Sequence, residues 1–557
     1  MTARRTGRII ADLAACAAWA SLGAGLVIHG CAPSSARPEP AAARRPVPEA
    51  PRIAQRAEPA PAIAPAAPPS APAPAPVLEE RPALPSAEPE LRIRVAALRS
   101  GGAAVRLSNP SGTLSLQAPG AEPRRVRTPV VVRRTTSGWT VSEGVSKRGT
   151  ATFEVAAAGP IEFHPPAAKG GIVAFDGTDW PGPMRLVPVT DASGATGLDL
   201  VVDVSLERYL PGVLAKELIR GWDEEAFRAQ AIAARSFAIC EHAHWSRVRH
   251  YDMVAGEASQ AWIGTTADRR PREAAAATRG MVLAFGERVV PAYYSSTCGG
   301  APADAARSLT RNPNHDIAPL AAGKRAQSRR DCCEDAPRYE WRQSLSVAAC
   351  CAQLRRWAAD QLEARDGRLL APASERPLGD RVSASVAVAA SVAASGDVAP
   401  APAPARAAVP AAPAPASPAP AVRQPPAELA SDAPLEALAA IRSIRSIEVA
   451  RSNAAGRPER LRVVDGSGAV LEMRAEDFRR AVNFAPEGEP APKERLFSSH
   501  LVSARVEGGR LELAGRGFGH GVGMCQYGAQ ELATRGQDAA AILRTYYPGA
   551  SVVRAYR

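Results

Sequence analysis

The 557 residues include 68 Lys and Arg against 56 Asp and Glu, a formal charge of +12, and this length accommodates two to four domains. The 44 glycines and 52 prolines are unevenly placed, so globular pieces separated by linkers are expected. No run of about 18 uninterrupted apolar residues occurs outside the N-terminus, which excludes a polytopic membrane protein. No zinc-finger spacing, helicase or polymerase motif or aromatic RNA-binding signature accompanies the basic excess, so nucleic acid is not an expected partner.

Arg4, Arg5 and Arg8 precede a small, apolar run from Leu13 to Ile28 that ends in Ile28-His29-Gly30-Cys31. A charged start, an apolar middle and a small residue before the cut have the layout of a secretory signal over residues 1–31. Cleavage before Cys31 resembles processing of a bacterial lipoprotein, in which that thiol is acylated. The expectation is an exported cell-envelope protein tethered to a membrane through lipid on Cys31. Residues 32–90, rich in Ala, Pro and charge, bury too little apolar surface to offset their ordering entropy and read as a disordered tether. Residues 384–430 share this composition and read as an insertion.

Between these stretches the first periodicity is that of sheet. Leu91 to Leu98 alternates, and Val130-Val131-Val132, Trp139-Thr140-Val141 and Leu198 to Val204 follow, separated by Gly, Pro and Ser breaks. Residues 91–195 therefore form a strand-rich N-terminal region. The pattern changes at Tyr209 to Leu218, where Pro211 suits an early helical position and the helix carries Glu217. Asp223 then caps a longer helix whose Phe227, Ala231, Ala234 and Ala238 share one face. The predicted class is α+β, with strand-rich regions flanking a helical segment. The core spans 196–383 and is completed, after the insertion, by 431–557.

The runs Leu206-Glu207-Arg208-Tyr209-Leu210-Pro211-Gly212-Val213-Leu214-Ala215-Lys216-Glu217 and Ala229-Gln230-Ala231-Ile232-Ala233-Ala234-Arg235-Ser236-Phe237-Ala238 resemble the stage II sporulation protein D family. Gln260-Ala261-Trp262-Ile263-Gly264, the block from Ala276 to Leu283, and Tyr293-Tyr294-Ser295-Ser296-Thr297-Cys298-Gly299-Gly300 follow in the family's order. Gly517 to Ala529 is similar to its closing motif, with Cys525 where Ser is commoner. The resemblance implies a lytic transglycosylase acting on peptidoglycan glycan strands stripped of stem peptides, or an enhancer of a cell-wall amidase. It also implies Glu217 as the catalytic acid, with no cofactor.

The chemistry makes that role intelligible. Glycosidic cleavage needs a proton on the leaving oxygen, and Val213, Leu214 and Leu218 are placed to desolvate a neighbouring carboxyl. Eighteen positions on, Arg235 offers a guanidinium fork to the carboxylate or to sugar and lactyl oxygens, and equally suits a structural ion pair. Gln260 lies in one of the family's blocks. Tyr293, Tyr294, Ser295 and Ser296 supply a stacking face and hydroxyls to a glycan, or core and turn positions. Glycines at 515, 517, 519, 521 and 523 fit neither a dinucleotide fingerprint nor a phosphate loop. They allow close backbone approach instead, with His520 and Gln526 as polar contacts.

Seven cysteines remain once Cys16 goes with the signal and Cys31 to lipid. In an exported protein, Cys332-Cys333 and Cys350-Cys351 suggest two bridges. No metal is expected: the family's zinc ligands before the Gln have no Cys counterpart in Tyr251 to Ser259, and Cys240 with His242, His244 and His250 reads as a polar helix end. A cysteine hydrolase built on Cys298 with His315-Asp316 is the weaker enzymatic alternative.

Overall fold

The computed structural model describes residues 80–557 except 100–102, 145–149, 167–170, 191–195, 248, 257–258, 310–311, 323–331, 371–433, 487–488 and 490. The expected signal sequence, Cys31, the expected tether up to residue 79 and the expected insertion over 384–430 lie outside the described residues.

Alternation in the strand Glu90–Leu98 buries Leu91 and Ile93 completely. This strand pairs antiparallel with Thr196–Ser205, Glu90 opposite Ser205 and Leu98 opposite Leu198. Both belong to a seven-stranded sheet in the order Met253–Val254, Glu90–Leu98, Thr196–Ser205, Met184–Thr190, Ile161–His164, Thr113–Gln117 and Arg124–Arg127. The strand-rich N-terminal region and the start of the 196–383 segment thus share one sheet. A four-stranded sheet containing Val130–Arg134 and Trp139–Ser142 contributes Val132 and the fully buried Trp139 to the same core.

The strand Thr196–Ser205 passes directly into helix α1, Leu206–Glu217. The helix begins at Leu206, ahead of the Tyr209 expected from sequence, because Leu206, Tyr209, Leu210 and Val213 already form a buried stripe at helical spacing. Pro211 is therefore interior, where its missing N–H leaves the carbonyl one turn back without its usual partner. Leu218 is extended, so Glu217 is the last helical residue.

Helix α2, Glu224–Trp245, has Asp223 as its N-cap, whose side chain accepts from the Glu225 N–H at 2.9 Å. The small face expected from sequence is buried, with Ala231, Ala234 and Ala238 at 0 % exposure. This lets α1 and α3, Arg269–Ala277, pack closely on α2. Helices α4 (Val347–Leu370), α5 (Leu435–Ala440) and α6 (Ala475–Val482) surround a second core with the strands Ile444–Ser452, Pro458–Asp465 and Val470–Arg474. Helices α7, Gln526–Thr534, and α8, Ala539–Tyr546, close the chain against α2.

The described segments before residue 371 and after residue 433 are stitched together. Tyr294–Ser295 pairs in parallel with Met524–Cys525, and Met281–Phe285 pairs antiparallel with Ser551–Arg554. The fold is α+β. Among the described residues no helix is long and apolar enough to cross a membrane.

Candidate active site

Ending α1 on Glu217 places a half-buried carboxylate beside the fully buried Val213 and Leu214. One oxygen, Oε1, accepts from the Ala261 N–H at 2.9 Å, and Oε2 accepts from the Gln526 side-chain amide at 3.3 Å. Two donors from widely separated parts of the chain thereby fix the carboxyl plane. The Ala261 loop is braced by Trp262, whose ring lies 4.9 Å from Trp180 and 5.0 Å from Tyr209. Gly212 of α1 fits against this loop only without a side chain, since a Cβ would sit 2.0 Å from the Gly264 carbonyl oxygen.

Gln526 opens α7 immediately after Cys525, whose sulfur caps the helix by accepting from the Gly528 N–H at 3.3 Å. The approach is set by Gly523, at φ +68°, where a Cβ would meet the Tyr293 carbonyl oxygen at 2.0 Å. The alternating glycines thus serve close packing at this position. Burial, and then the charge of Glu217, raise the Tyr209 and Tyr294 hydroxyls well above their ordinary range, so both phenols beside the carboxylate stay protonated.

Glu217 opens onto a groove of about 900 Å³ also lined by Tyr294, Ser295, Ser296, His520 and Gln526. Six sequence-predicted residues from three separate segments therefore converge. Burial foremost, opposed by the charge of Glu476 and aided by Arg479, Arg480 and Arg457, lowers His520 to about 4, so the ring is neutral at pH 7. Its Nδ1 accepts from the Val522 N–H at 3.0 Å. Tyr293 lines an adjoining cavity of about 760 Å³ that shares His520, and its hydroxyl meets His315 Nδ1 at 3.0 Å.

Arg235 and Gln260 lie elsewhere. Arg235 is fully buried and makes paired hydrogen bonds to Glu207, both at 2.8 Å, plus one to the Met281 carbonyl at 3.0 Å. This is the ion-pair alternative, and Glu207 rather than Glu217 is the partner. Gln260 is also at 0 % exposure and donates to the Ala234 carbonyl at 3.2 Å; its neighbours Ser259 and Ala261 line the groove in its place.

The opposite wall was not visible in the motifs. Lys216, Arg338, Arg342, Arg479, Lys493 and Arg495 surround the groove with positive charge. Arg338 adopts φ 65°, unusual for a side-chain-bearing residue, and its guanidinium lies 4.3 Å from the Phe497 ring and 4.7 Å from Phe518. The second lining carboxylate, Glu494, accepts from the Ser346 N–H at 2.6 Å and from Arg510 at 3.2 Å. The Ser346 N–H foremost, opposed by burial and aided by Arg510, holds it below the ordinary carboxylate range. Apart from Lys216 in the first family run and Phe518 in the glycine motif, these groups come from segments whose only sequence signal was the diffuse basic excess.

The cysteines depart from expectation. All seven described cysteines are unbridged. Cys350 and Cys351 on α4 face the second core, while Cys333 lies in another core with Cys298 and Cys525, so the proposed bridge partners are buried apart. His242 pairs with Asp252 at 2.9 Å, His250 with Asp199 at 2.8 Å, and the buried Cys240 points at the Val289 carbonyl, so this set has separate partners. Cys298, 1 % exposed, is shut away from the groove, and His315 is engaged by Tyr293, which leaves the cysteine-hydrolase alternative without a nucleophile at a surface.

The sequence model of the Stage II sporulation protein family matches residues 194–285, which include Glu217, Arg235 and Gln260. An amidase enhancer of Bacillus subtilis is 39% identical over 57 residues, 10% of this chain and 8% of that protein. An uncharacterized protein of Brachyspira hyodysenteriae is 28% identical over 134 residues, 23% of this chain and 33% of its own length. Stage II sporulation protein D of Bacillus amyloliquefaciens is 44% identical over 48 residues, 9% of this chain and 14% of that protein. The matches thus span a third or less of each of these relatives.

Proposed function

The chain carries a Stage II sporulation protein domain, and on that footing we propose that it acts on the bacterial cell wall as a peptidoglycan lytic transglycosylase. In this reading Glu217, as the neutral acid, gives its proton to the glycosidic oxygen while the bond to the muramic anomeric carbon breaks. The resulting carboxylate then takes the proton from the sugar's own 6-hydroxyl. That oxygen closes on the anomeric carbon, a 1,6-anhydro end forms, and the proton is back on Glu217. No water is activated, so one carboxyl suffices.

The observation that carries this reading is the pairing of Glu217 with a cationic groove whose other carboxylate is engaged. Glu494 is tied to Ser346 and Arg510 and is poorly suited to activate water. Glycan stripped of stem peptides bears a free lactyl carboxylate on each muramic residue, and Arg338, held against Phe497 and Phe518, offers a planar donor fork with an aromatic shelf to such a chain. Export and a lipid on Cys31 belong to the same proposal, since they put the groove where the polymer is. Stem-peptide removal makes a cell-wall amidase the natural partner, and one relative is named an amidase enhancer.

Incubation with peptide-free glycan strands followed by mass spectrometry tests the reading. Anhydromuramic ends produced by the wild type and lost in Glu217→Gln are expected. Ordinary reducing ends would mean hydrolysis. Intact strands together with a stimulated amidase would make the chain a noncatalytic enhancer.

A further inference from the structure

Cys298, Cys333 and Cys525 bury their thiols together at 1 %, 4 % and 1 % exposure. Their sulfurs all lie within 4.8 Å of one another, and those of Cys298 and Cys333 are 3.7 Å apart. Two thiolates bound at about 2.3 Å to one tetrahedral zinc ion stand about 3.8 Å apart, whereas a disulfide would bring them to about 2.05 Å. Three sulfurs are also one too many for a bridge and one short of a closed tetrahedral shell.

A second feature points the same way. Arg457 is 1 % exposed and fully extends into this region, donating to the Cys298 and Ala301 carbonyls at 3.0 and 3.1 Å. Its other acceptors are the Ser498 and Ser499 hydroxyls and the Gly519 carbonyl. Among the described residues every hydrogen-bond acceptor of this buried cation is neutral. Glu476 acts on it as one opposite charge, and a divalent ion held by three thiolates, with a net charge of −1, would place a second beside the Cys298 carbonyl that Arg457 contacts.

We propose that Cys298, Cys333 and Cys525 form a structural zinc site, with a small exogenous donor such as water in the fourth position. The three thiol protons leave to solvent as the ion enters. The site joins three distant stretches of chain behind the groove: Cys298 follows Tyr294–Ser295, Cys333 precedes the strand Glu340–Ser346, and Cys525 directly precedes Gln526. Zinc would thus lock the start of α7, and with it the amide that holds Glu217, to the segment bearing Ser295 and Ser296. This inference stands apart from the proposed reaction, because an enhancer with the same fold would need the same lock.

The test is metal analysis of the full-length chain purified without chelator. About one zinc per chain is expected, falling to background in Cys298→Ser, Cys333→Ser and Cys525→Ser but kept in Cys332→Ser, which alters a thiol outside the cluster. Because a serine variant can misfold, the wild-type chain is also stripped with a chelator and reloaded with cobalt. Thiolate-to-cobalt charge-transfer absorption, displaced by zinc, is the expected signature. A metal-free chain that fails to take up cobalt while its circular dichroism stays native would overturn the proposal. So would an intact mass two hydrogens light, with a Cys298–Cys333 bridge found in the digest.

Discussion

Two arginines show what separates a fold-building residue from one that serves the groove. Arg235 is enclosed by Glu207, by main-chain carbonyls and by the end of the chain, since the Tyr556 hydroxyl also donates to Glu207 at 2.7 Å. Burial pushes the Glu207 carboxyl up, but the hydrogen bonds and charge of Arg235, with Tyr556 and the Gly280 N–H, hold it below its ordinary range. Arg235→Met strands that carboxylate, and a loss of about 3–5 kcal/mol in urea unfolding is expected, with no change in KM for the fraction that folds. Arg338 is exposed and rests on two rings at the groove rim. Arg338→Ala is expected to raise KM for peptide-free glycan about tenfold, the equivalent of one charge-assisted hydrogen bond, while kcat and stability stay near wild type. Equal effects of the two variants on KM would sink this division of labour. Sequence alone left Arg235 open because an arginine in a small-residue helix suits either role, and only the position of Glu207 across the helix pair decides it.

At the scale of elements, the site is the junction of one helix end and one helix start. The end of α1 carries Glu217, and the start of α7 carries Gln526; each position depends on a glycine contact to a neighbouring segment. Gly212→Ala pushes α1 away from the Trp262–Gly264 loop, which also supplies the Ala261 N–H to Glu217. Overpacking of this kind costs about 1–3 kcal/mol. The expected outcome is a rate loss of tenfold or more in protein that circular dichroism shows to be folded; a destabilised variant of undiminished specific activity would mean that α1 does not position the acid. Helices α1, α2 and α7 were readable because caps and apolar spacing are local signals, as with Asp223 and the Phe227, Ala231, Ala234, Ala238 face. The start of α1 was misplaced because the strand runs into it with no breaking residue. The wall formed by Arg338, Arg342, Lys493 and Phe497 was not readable, since its two segments lie far apart in the sequence and neither carries a motif. The same distance hid the approach of Cys298, Cys333 and Cys525.

Across the whole molecule, the groove lies where the two halves of the chain close on each other, and the groups that seal this closure titrate. His520, from the glycine-rich segment, faces Glu476, Arg479 and Arg480 of α6 and Arg457 from the neighbouring hairpin. Its folded value of about 4 lies below the 6.5 of the free side chain. As pH falls through about 6.5 the unfolded chain takes up a proton that the folded one refuses. The stabilisation is thus complete above that value and drains away toward pH 4; we take it as roughly 2 kcal/mol, because the half-buried ring keeps some solvent contact. Glu476 titrates in a lower window. Burial would raise its carboxyl, but the charge and hydrogen bonds of Arg479, with Arg480 and His520, bring it to about 2 from an ordinary 4.5. Its contribution is complete above 4.5 and is lost as pH falls toward 2. Urea midpoints taken from neutral to acid pH should therefore fall in two stages. His520→Gln makes the upper stage shallower, with His315 and His500 keeping the rest of it, while Glu476→Gln lowers stability at neutral pH and makes the lower stage shallower, with Glu207 and Glu494 keeping the rest of that. A single acid transition, unchanged in both variants, would show that the closure of the two halves does not depend on this cluster.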